Sequence, residues 1–150
     1  MTTRLSRTSA LRRETPRLED YLEAIYHLIH DKGYASTVDI SERLQVKPPS
    51  VSNMLQKLDA RGYLVHEPYR GMRLTDKGES VARAVIRRHG TIEELLIILG
   101  VEKDVAYTDA EGAEHDLHPA TIERLGRLLE YLKKNPKQLD SIRKGIDETD

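Results

Sequence analysis

Two adjacent prolines limit how the first half of this chain can fold. Pro48 and Pro49 interrupt a stretch of helical apolar spacing, and proline is tolerated in the first turn of a helix but disrupts its interior. Before them, Ser36-Thr37-Val38-Asp39 is a capping-box-like start for one short helix. After them, Val51 and Leu55 begin the apolar spacing of another helix. The sequence therefore predicts two helices joined by a tight break.

The segments around this helix pair predict one more helix and a β-hairpin. Thr15-Pro16 provides an N-cap followed by proline, so a first helix is predicted to begin there, and Gly33 ends it. The runs YLVHEP and MRLT, joined by Tyr69-Arg70-Gly71, are typical of a two-stranded hairpin. Three helices followed by a hairpin is the order of a winged helix-turn-helix, which we predict over residues 15–76.

Helical spacing continues through the second half of the chain. It predicts a long linking helix over residues 77–99, a short helix that begins at Thr108, and a clear helix from Pro119 to Lys134. A last short helix is expected after Pro136. The predicted fold class is therefore mainly α, with an N-terminal winged helix-turn-helix followed by an all-helical domain over residues 77–150.

Charge and composition limit the classes of protein to which this chain can belong. The net charge is −1, but residues 1–90 hold 16 basic and 11 acidic side chains whereas residues 91–150 hold 8 and 14. The basic half suits an anionic partner. The absence of Cys excludes disulfides and cysteine-ligated metals. The longest apolar run, Leu95–Leu99, is too short to cross a membrane, so we expect a cytoplasmic protein.

Residues 1–14 are predicted to be a flexible basic tail, either without a role or contacting DNA phosphates.

The third predicted helix presents a polar face that suits DNA. With Val51, Leu55 and Leu58 turned inward, Asn53 and Gln56 point outward. Asn and Gln can form bidentate hydrogen bonds with adenine in the major groove, whereas Ser and Lys suit phosphates and the arginines of the hairpin suit a wing contact. The alternative for each residue is an ordinary solvated surface. The predicted contacts with double-stranded DNA are Ser50, Ser52, Asn53, Gln56, Lys57, Arg70 and Arg73.

Two groups of acidic and histidine residues are possible metal ligands. Asp20, Glu23 and His27 share the polar face of the first helix, for which solvated surface is the alternative. Glu111 precedes Glu114-His115 by one helical turn, which is a plausible chelating arrangement. Its alternative is local, because Glu111 is the third residue after Thr108 and could cap its own helix. The residues alone leave these alternatives open.

Four strings carry a resemblance to a known family. LEDYLEAIYHLI, VKPPSVSNMLQKLDARGYLVHEPYRGMRLTDKG, RRH and DAEGAEHDL resemble the diphtheria-toxin-repressor family of metal-dependent transcription regulators, within it the manganese transport regulator branch. The iron-responsive members use sulfur ligands, and Asp20 stands where they have Met. The metal ligands that the resemblance implies are Asp20, Glu23, His89, Glu111, Glu114 and His115.

The resemblance implies a manganese-activated repressor of metal-uptake genes. Four carboxylates and two imidazoles suit Mn²⁺, and Zn, Co, Cd or Fe ions can occupy the same donors. Two divalent ions neutralise four carboxylates, so we expect two manganese ions per subunit, bridged by Glu23 or Glu114. Metal bound between the two predicted domains orders the dimer for operator binding.

A homodimer and two competing functions complete the expectations. The apolar side of the helix from Pro119 to Lys134 is predicted as the dimer interface, with intradomain core as the alternative. The competing functions are a metal-independent DNA-binding protein and a two-metal hydrolase. The hydrolase is disfavoured because six ligands nearly fill the coordination shells and no nucleophile–base motif accompanies them. The predicted interface residues are Ile122, Leu125, Leu129 and Leu132.

Overall fold

The chain folds into helices and one small sheet, which contacts divide into two units. The computed structural model describes the backbone of residues 3–69 and 71–149, and the side chains from Arg17 onward except those of Arg70 and Asp150. Unit 1 is Met1–Val85 and unit 2 is Ile86–Asp150. No helix among the described residues is long and apolar enough to span a membrane. The elements are α1 (Thr3–Lys32), α2 (Thr37–Leu44), α3 (Pro48–Ala60), β1 (Leu64–Glu67), β2 (Gly71–Leu74), α4 (Asp76–Ile98), α5 (Lys103–Ala113), α6 (Pro119–Lys134) and α7 (Pro136–Asp147).

The first helix begins earlier than its sequence signals indicate. The predicted start at Thr15-Pro16 is wrong, because α1 begins at Thr3. The residues before Pro16 include Ala, Leu and Arg, which favour helix. The helix continues through Pro16, although an interior proline removes one backbone hydrogen bond and crowds the preceding turn. The side chains of residues 3–16 lie outside the described part of the structure, as do residues 1 and 2. The flexibility and DNA role of the tail over residues 1–14 therefore stay predictions.

The capping and proline signals of α2 and α3 are confirmed. Ser36 is the N-cap of α2, and its hydroxyl oxygen accepts a hydrogen bond from the Asp39 backbone N–H at 3.1 Å. Pro48 and Pro49 occupy the first turn of α3. The two helices pack with α1 around a shared apolar core. The buried residues of this core are Leu18, Tyr21, Leu22, Ile25, Leu28, Ala35, Ile40, Val51, Met54, Leu55, Leu58, Leu64, Met72 and Ala82.

The predicted hairpin is confirmed as an antiparallel pair. β1 and β2 pair with Leu64 opposite Leu74 and Glu67 opposite Gly71. Leu64 and Met72 contribute their buried side chains to the core of unit 1. The hairpin is therefore attached to the helices by apolar packing and leaves its tip, between Glu67 and Gly71, away from the core.

The start of α4 belongs to unit 1. A Cβ atom on Gly78 would lie 1.9 Å from the Tyr63 carbonyl oxygen, so the helix backbone passes directly against the segment before β1. Ala82, one turn further, lies in the core of unit 1. The start of α4 therefore lies in unit 1, and the two units divide between Val85 and Ile86. The domain boundary between residues 76 and 77 stays a prediction.

In unit 2 the predicted position of α6 is confirmed, whereas the predicted first residue of α5 is wrong. α6 has the predicted bounds, Pro119–Lys134, and α7 follows Asn135. α5 begins at Lys103 and not at Thr108. The Thr108 hydroxyl donates to the Asp104 carbonyl oxygen at 3.0 Å, so it bonds back into a helix already formed and caps nothing.

Candidate metal centre and nucleic-acid interface

Unit 2 holds a buried carboxylate between two histidines. Glu114, at the C-cap of α5, is 2% exposed, and His89 on α4 is 8% exposed. A Glu114 carboxylate oxygen lies 3.5 Å from His89 Nδ1, and its other oxygen lies 3.2 Å from His115 Nε2. A buried charge is costly unless it is paired or bound to a metal. The structure therefore brings three of the predicted ligands together.

The second ring nitrogen of His89 faces a glutamate that the sequence analysis did not single out. His89 Nε2 lies 3.2 Å from a Glu93 carboxylate oxygen. Both ring nitrogens are buried, and neither makes a hydrogen bond of normal geometry with a described residue. The Tyr107 ring and the imidazole pack in a T-shaped arrangement, with ring centroids 4.9 Å apart. The spacing of four residues between His89 and Glu93 on one helix was the available signal.

Glu111 lies on the same helix as Glu114 and has a different partner. It is exposed, and one of its carboxylate oxygens accepts a hydrogen bond from the Tyr107 hydroxyl at 3.0 Å. It stands in the last turn of α5, so the alternative that it caps the start of its own helix is wrong. Glu111 precedes Glu114 by one helical turn, and its place in the ligand set stays a prediction.

This donor set fits a divalent metal ion. The side chains offer carboxylate oxygens and imidazole nitrogens, and the chain contains no cysteine. Oxygen and nitrogen donors of this kind suit manganese, zinc, iron and other first-row divalent ions. The buried imidazole of His89, whose nitrogens make no hydrogen bond of normal geometry with a described residue, is the observation that most favours a metal here.

The predicted ligands of unit 1 lie on α1. Asp20 and Glu23 are half-buried, and a Glu23 carboxylate oxygen lies 3.6 Å from His27 Nε2. The side chains of Glu23 and His27 are 20% and 33% exposed. A fully solvated polar face therefore describes this part of α1 poorly.

Asp20 also lines a cleft within unit 1. The cleft, of about 490 Å³, opens between α1 and α3, and Ser50, Asn53 and Lys57 line its other side. A predicted metal ligand and three predicted DNA contacts therefore share one surface of the same unit.

The polar face predicted for α3 is present. Val51, Leu55 and Leu58 are buried as predicted, together with Met54, which was not singled out. All five predicted DNA contacts on α3 are exposed: Ser50, Ser52, Asn53, Gln56 and Lys57. Their roles in DNA binding stay predictions.

Of the two hairpin arginines predicted to contact DNA, Arg73 is paired with a carboxylate within the hairpin. One guanidinium nitrogen of Arg73 donates to both carboxylate oxygens of Glu67, at 3.1 and 3.2 Å. Arg73 therefore already has an anionic partner across the hairpin, although its side chain is half exposed. Arg70 lies outside the described residues.

Comparison with protein families decides what kind of chain this is. Residues 14–72 match the model of the iron dependent repressor N-terminal DNA binding domain, and residues 75–142 match that of the iron dependent repressor metal binding and dimerisation domain. The chain belongs to the iron dependent repressor family. This confirms the resemblance seen in the sequence and the predicted order of a DNA-binding domain followed by a helical domain.

Individual relatives are similar over most of the chain. The HTH-type transcriptional regulator MntR of Shouchella clausii is 46% identical over 129 residues, which cover 86% of this chain and 90% of the relative. MntR of Bacillus subtilis is 46% identical over 133 residues, covering 87% and 94%. These relatives are transcriptional regulators, which disfavours the hydrolase alternative.

Solved structures share the fold. The manganese regulator SloR matches with a TM-score of 0.69 at 34% identity, and ScaR with bound Zn²⁺ with 0.68 at 35%. Each match covers 76% of this chain and 54% of the other, so the chain spans about half the length of those two proteins.

Proposed function

We propose that this chain is a manganese-activated repressor of metal-uptake genes that binds operator DNA as a homodimer. The observation that carries the proposal is the buried Glu114 carboxylate between His89 and His115 in unit 2. It occurs in a chain whose other unit exposes a polar helix face suited to a major groove. The cytoplasm is the proposed location, because a repressor must reach chromosomal DNA.

The proposed metal ligands number six, and two manganese ions per subunit balance their charge. His89, Glu114 and His115 form the buried part of the site, and Glu111 joins them from the last turn of α5. Asp20 and Glu23 enter the proposal from the sequence. A bridging role for Glu23 or Glu114 follows from sharing four carboxylates between two divalent ions. Zinc and cadmium are further candidates, since structures of the relative ScaR hold these ions.

A bound divalent ion would supply positive charge that neutralises the clustered carboxylates. In the chain itself, His89 and His115 lie on either side of the Glu114 carboxylate, and the Tyr107 ring packs against His89. Because the proposed ligands come from both units, binding would lower the ordering cost of a DNA-competent dimer.

The proposed DNA contacts divide into those that read bases and those that position the protein. Asn53 and Gln56 would read base edges, while Ser50, Ser52 and Lys57 would contact phosphates. Arg70 and Arg73 would contact the backbone or minor groove from the wing. For Arg73 this requires exchange of the Glu67 carboxylate for a phosphate.

The proposed dimer surface differs from the one expected. Leu129 and Leu132 are 6% and 3% exposed within the single chain, so the core alternative accounts for these two. Ile122 and Leu125 are half-buried and stay in the proposed interface. Leu128 and Tyr131, both exposed on α6, join them. Continuity of apolar surface on one helix of a dimerisation domain supports this assignment.

The test is a manganese titration of DNA binding. We would select a duplex from a random 24-base-pair library and measure its affinity by fluorescence anisotropy at fixed salt. Manganese should strengthen binding of the unaltered protein by roughly 30-fold relative to chelator. Glu114→Gln should lose this response, while Glu130→Gln, which removes a carboxylate from the exposed surface of α6, should keep it.

Two results would contradict the proposal. Equal affinity in manganese and in chelator would favour the metal-independent DNA-binding protein. A full manganese response in Glu114→Gln would remove the buried cluster from the ligand set.

A further inference from the structure

The tip of the hairpin carries a tyrosine in an unfavourable backbone conformation. Tyr69 has φ = +67°, and it is fully exposed, at 108% of its reference area. The Cβ atom of an L-residue is crowded in this left-handed region, where Gly, Asn and Asp are the usual occupants. The chain therefore places a large aromatic ring where a small residue would be more stable.

Among the described residues, two that are not glycine have a positive φ, and for each of them a local structure accounts for it. Gln45, with φ = +52°, is the C-cap of α2, and its N–H donates to the Glu42 carbonyl oxygen. The N–H of Val46 donates to the Ser41 carbonyl oxygen at 3.1 Å, which completes the end of the helix. Tyr69 follows Pro68 in the turn between β1 and β2, and a proline followed by a residue with positive φ is typical of a type II turn. The turn accounts for the backbone conformation and not for the choice of an aromatic residue, since Gly or Asn would adopt it with less strain. A strained residue kept at such a position is typical of a functional site.

The surroundings of Tyr69 favour a contact with DNA. The hairpin is the wing of a DNA-binding domain, and the tip is the part furthest from its core. Arg73, one predicted wing contact, is already bound by Glu67. A tyrosine ring is narrow when it enters edge-on, and it offers an apolar face with a hydroxyl donor at its end. A minor groove is about 6 Å wide, and apolar side chains enter it in other DNA-binding proteins.

We propose that Tyr69 is a DNA contact, whose ring packs against the sugars of the minor groove beside the major groove read by α3. The contact adds affinity with little sequence preference, because every nucleotide presents a deoxyribose. It also adds no charge, which distinguishes it from the lysine and arginine contacts. The inference rests on the proposed function, since it requires that the wing meets DNA when α3 does.

Three substitutions at this position separate a DNA contact from a structural role. Tyr69→Asn and Tyr69→Gly remove the ring and relieve the backbone strain, because both residues tolerate positive φ. Tyr69→Phe keeps the ring and removes only the hydroxyl. Each variant would be assayed with manganese on the selected duplex, and its melting temperature would be recorded.

We expect the two small residues to weaken DNA binding by about tenfold while the melting temperature stays the same or rises. Tyr69→Phe should stay within about twofold of the unaltered protein. The slope of log affinity against log salt should be unchanged in all three, because no phosphate contact by a cation is lost.

Other outcomes would overturn the inference. If Tyr69→Asn and Tyr69→Gly bind the duplex within twofold of the unaltered protein, the ring does not contact DNA. If Tyr69→Phe binds as weakly as Tyr69→Asn, the hydroxyl alone matters and ring packing is wrong. Failure of the proposed function has a separate signature: the unaltered protein would bind DNA equally in manganese and chelator, and the effect of the ring would still be measurable on that binding.

Discussion

The two units fill their interiors with different chemistry. In unit 1 every buried side chain among the described residues is apolar or aromatic, with Leu22, Ile25 and Leu58 inaccessible to solvent. Unit 2 buries His89 and Glu114 instead of two further apolar side chains. Apolar burial stabilises a fold without any ligand, whereas a buried carboxylate costs stability until it is paired or bound to metal. The core of unit 1 therefore needs no ligand, and we expect a bound metal ion to stabilise unit 2 more than unit 1.

The two units also differ in how many large apolar side chains they expose. Among the described residues, unit 2 exposes eight large apolar side chains and unit 1 exposes four. Those of unit 2 include Leu128 and Tyr131 on α6 and Ile142 and Ile146 on α7. Apolar area on this scale is typical of a surface covered by another molecule. A second copy of the chain would cover it, in keeping with a dimerisation domain.

The largest effect is expected from Gly78→Ala, which tests whether unit 1 is tightly completed by α4. The new Cβ would meet the Tyr63 backbone oxygen at 1.9 Å, and a backbone atom cannot rotate away. We expect unit 1 to lose about 4 kcal/mol of unfolding free energy. Amide hydrogen exchange of α3, compared with that of α6, measures the loss unit by unit.

Gly90→Ala is the matched control on the same helix. A Cβ at Gly90 meets nothing within 4 Å, so alanine should stabilise the metal-free protein by about 0.5–1 kcal/mol. Equal destabilisation by both substitutions would show that α4 tolerates alanine poorly everywhere and that the Tyr63 contact is not the cause.

A second pair of substitutions sharpens the description of unit 2. Leu132→Ala removes a side chain that is 3% exposed and should cost unit 2 about 3 kcal/mol. Leu128→Ala, one helical turn away and 47% exposed, should leave the stability of the monomer nearly unchanged and raise the dimer dissociation constant by about tenfold. Urea unfolding and sedimentation measure the two effects. If only Leu132→Ala raised the dimer dissociation constant, Leu132 and not Leu128 would belong to the interface.

The smallest effect concerns the start of α2 in unit 1. The Lys32 ammonium, 2.7 Å from a carboxylate oxygen, and the Ser36 hydroxyl hold the pKa of Asp39 below its usual value of 3.8. The carboxylate therefore stabilises the fold above that pH, and the contribution is lost as pH falls through the lowered pKa. We expect Asp39→Asn to melt below the unaltered protein at pH 7, with a difference that narrows toward pH 3. If the difference in melting temperature stayed the same from pH 7 to pH 3, the charge of Asp39 would not be the source of the stabilisation.

Local signals account for most of the fold that the sequence predicted. Ser36, Pro48 and Gly33 act within one turn of their own positions, so their meaning does not depend on the rest of the chain. The periodic apolar residues of α3 and α6 are equally local. The three predicted ligands of the buried cluster, His89, Glu114 and His115, were identified through a family resemblance. Helical periodicity alone did not distinguish a metal site from solvated surface or from a helix cap.

What the sequence missed depends on contacts between distant residues. The attachment of the start of α4 to unit 1 follows from its packing on the segment before β1, which no local pattern encodes. Arg73 was predicted to be available to DNA, but its pairing with Glu67 follows from the register of the two strands. The early start of α5 was hidden because Thr108 is typical of a cap and here bonds back within the helix.

The buried cluster of His89, Glu114 and His115 has a consequence for chemical damage. Thiolates are the first protein ligands lost to oxidants, through sulfenic and then irreversible sulfinic acids. Carboxylate and imidazole donors are not part of that sequence of reactions, and the chain has no cysteine to enter it. Of its three methionines, Met54 and Met72 are buried in unit 1. The donors of the proposed centre therefore cannot be lost through thiol oxidation, the route by which peroxide removes a thiolate ligand.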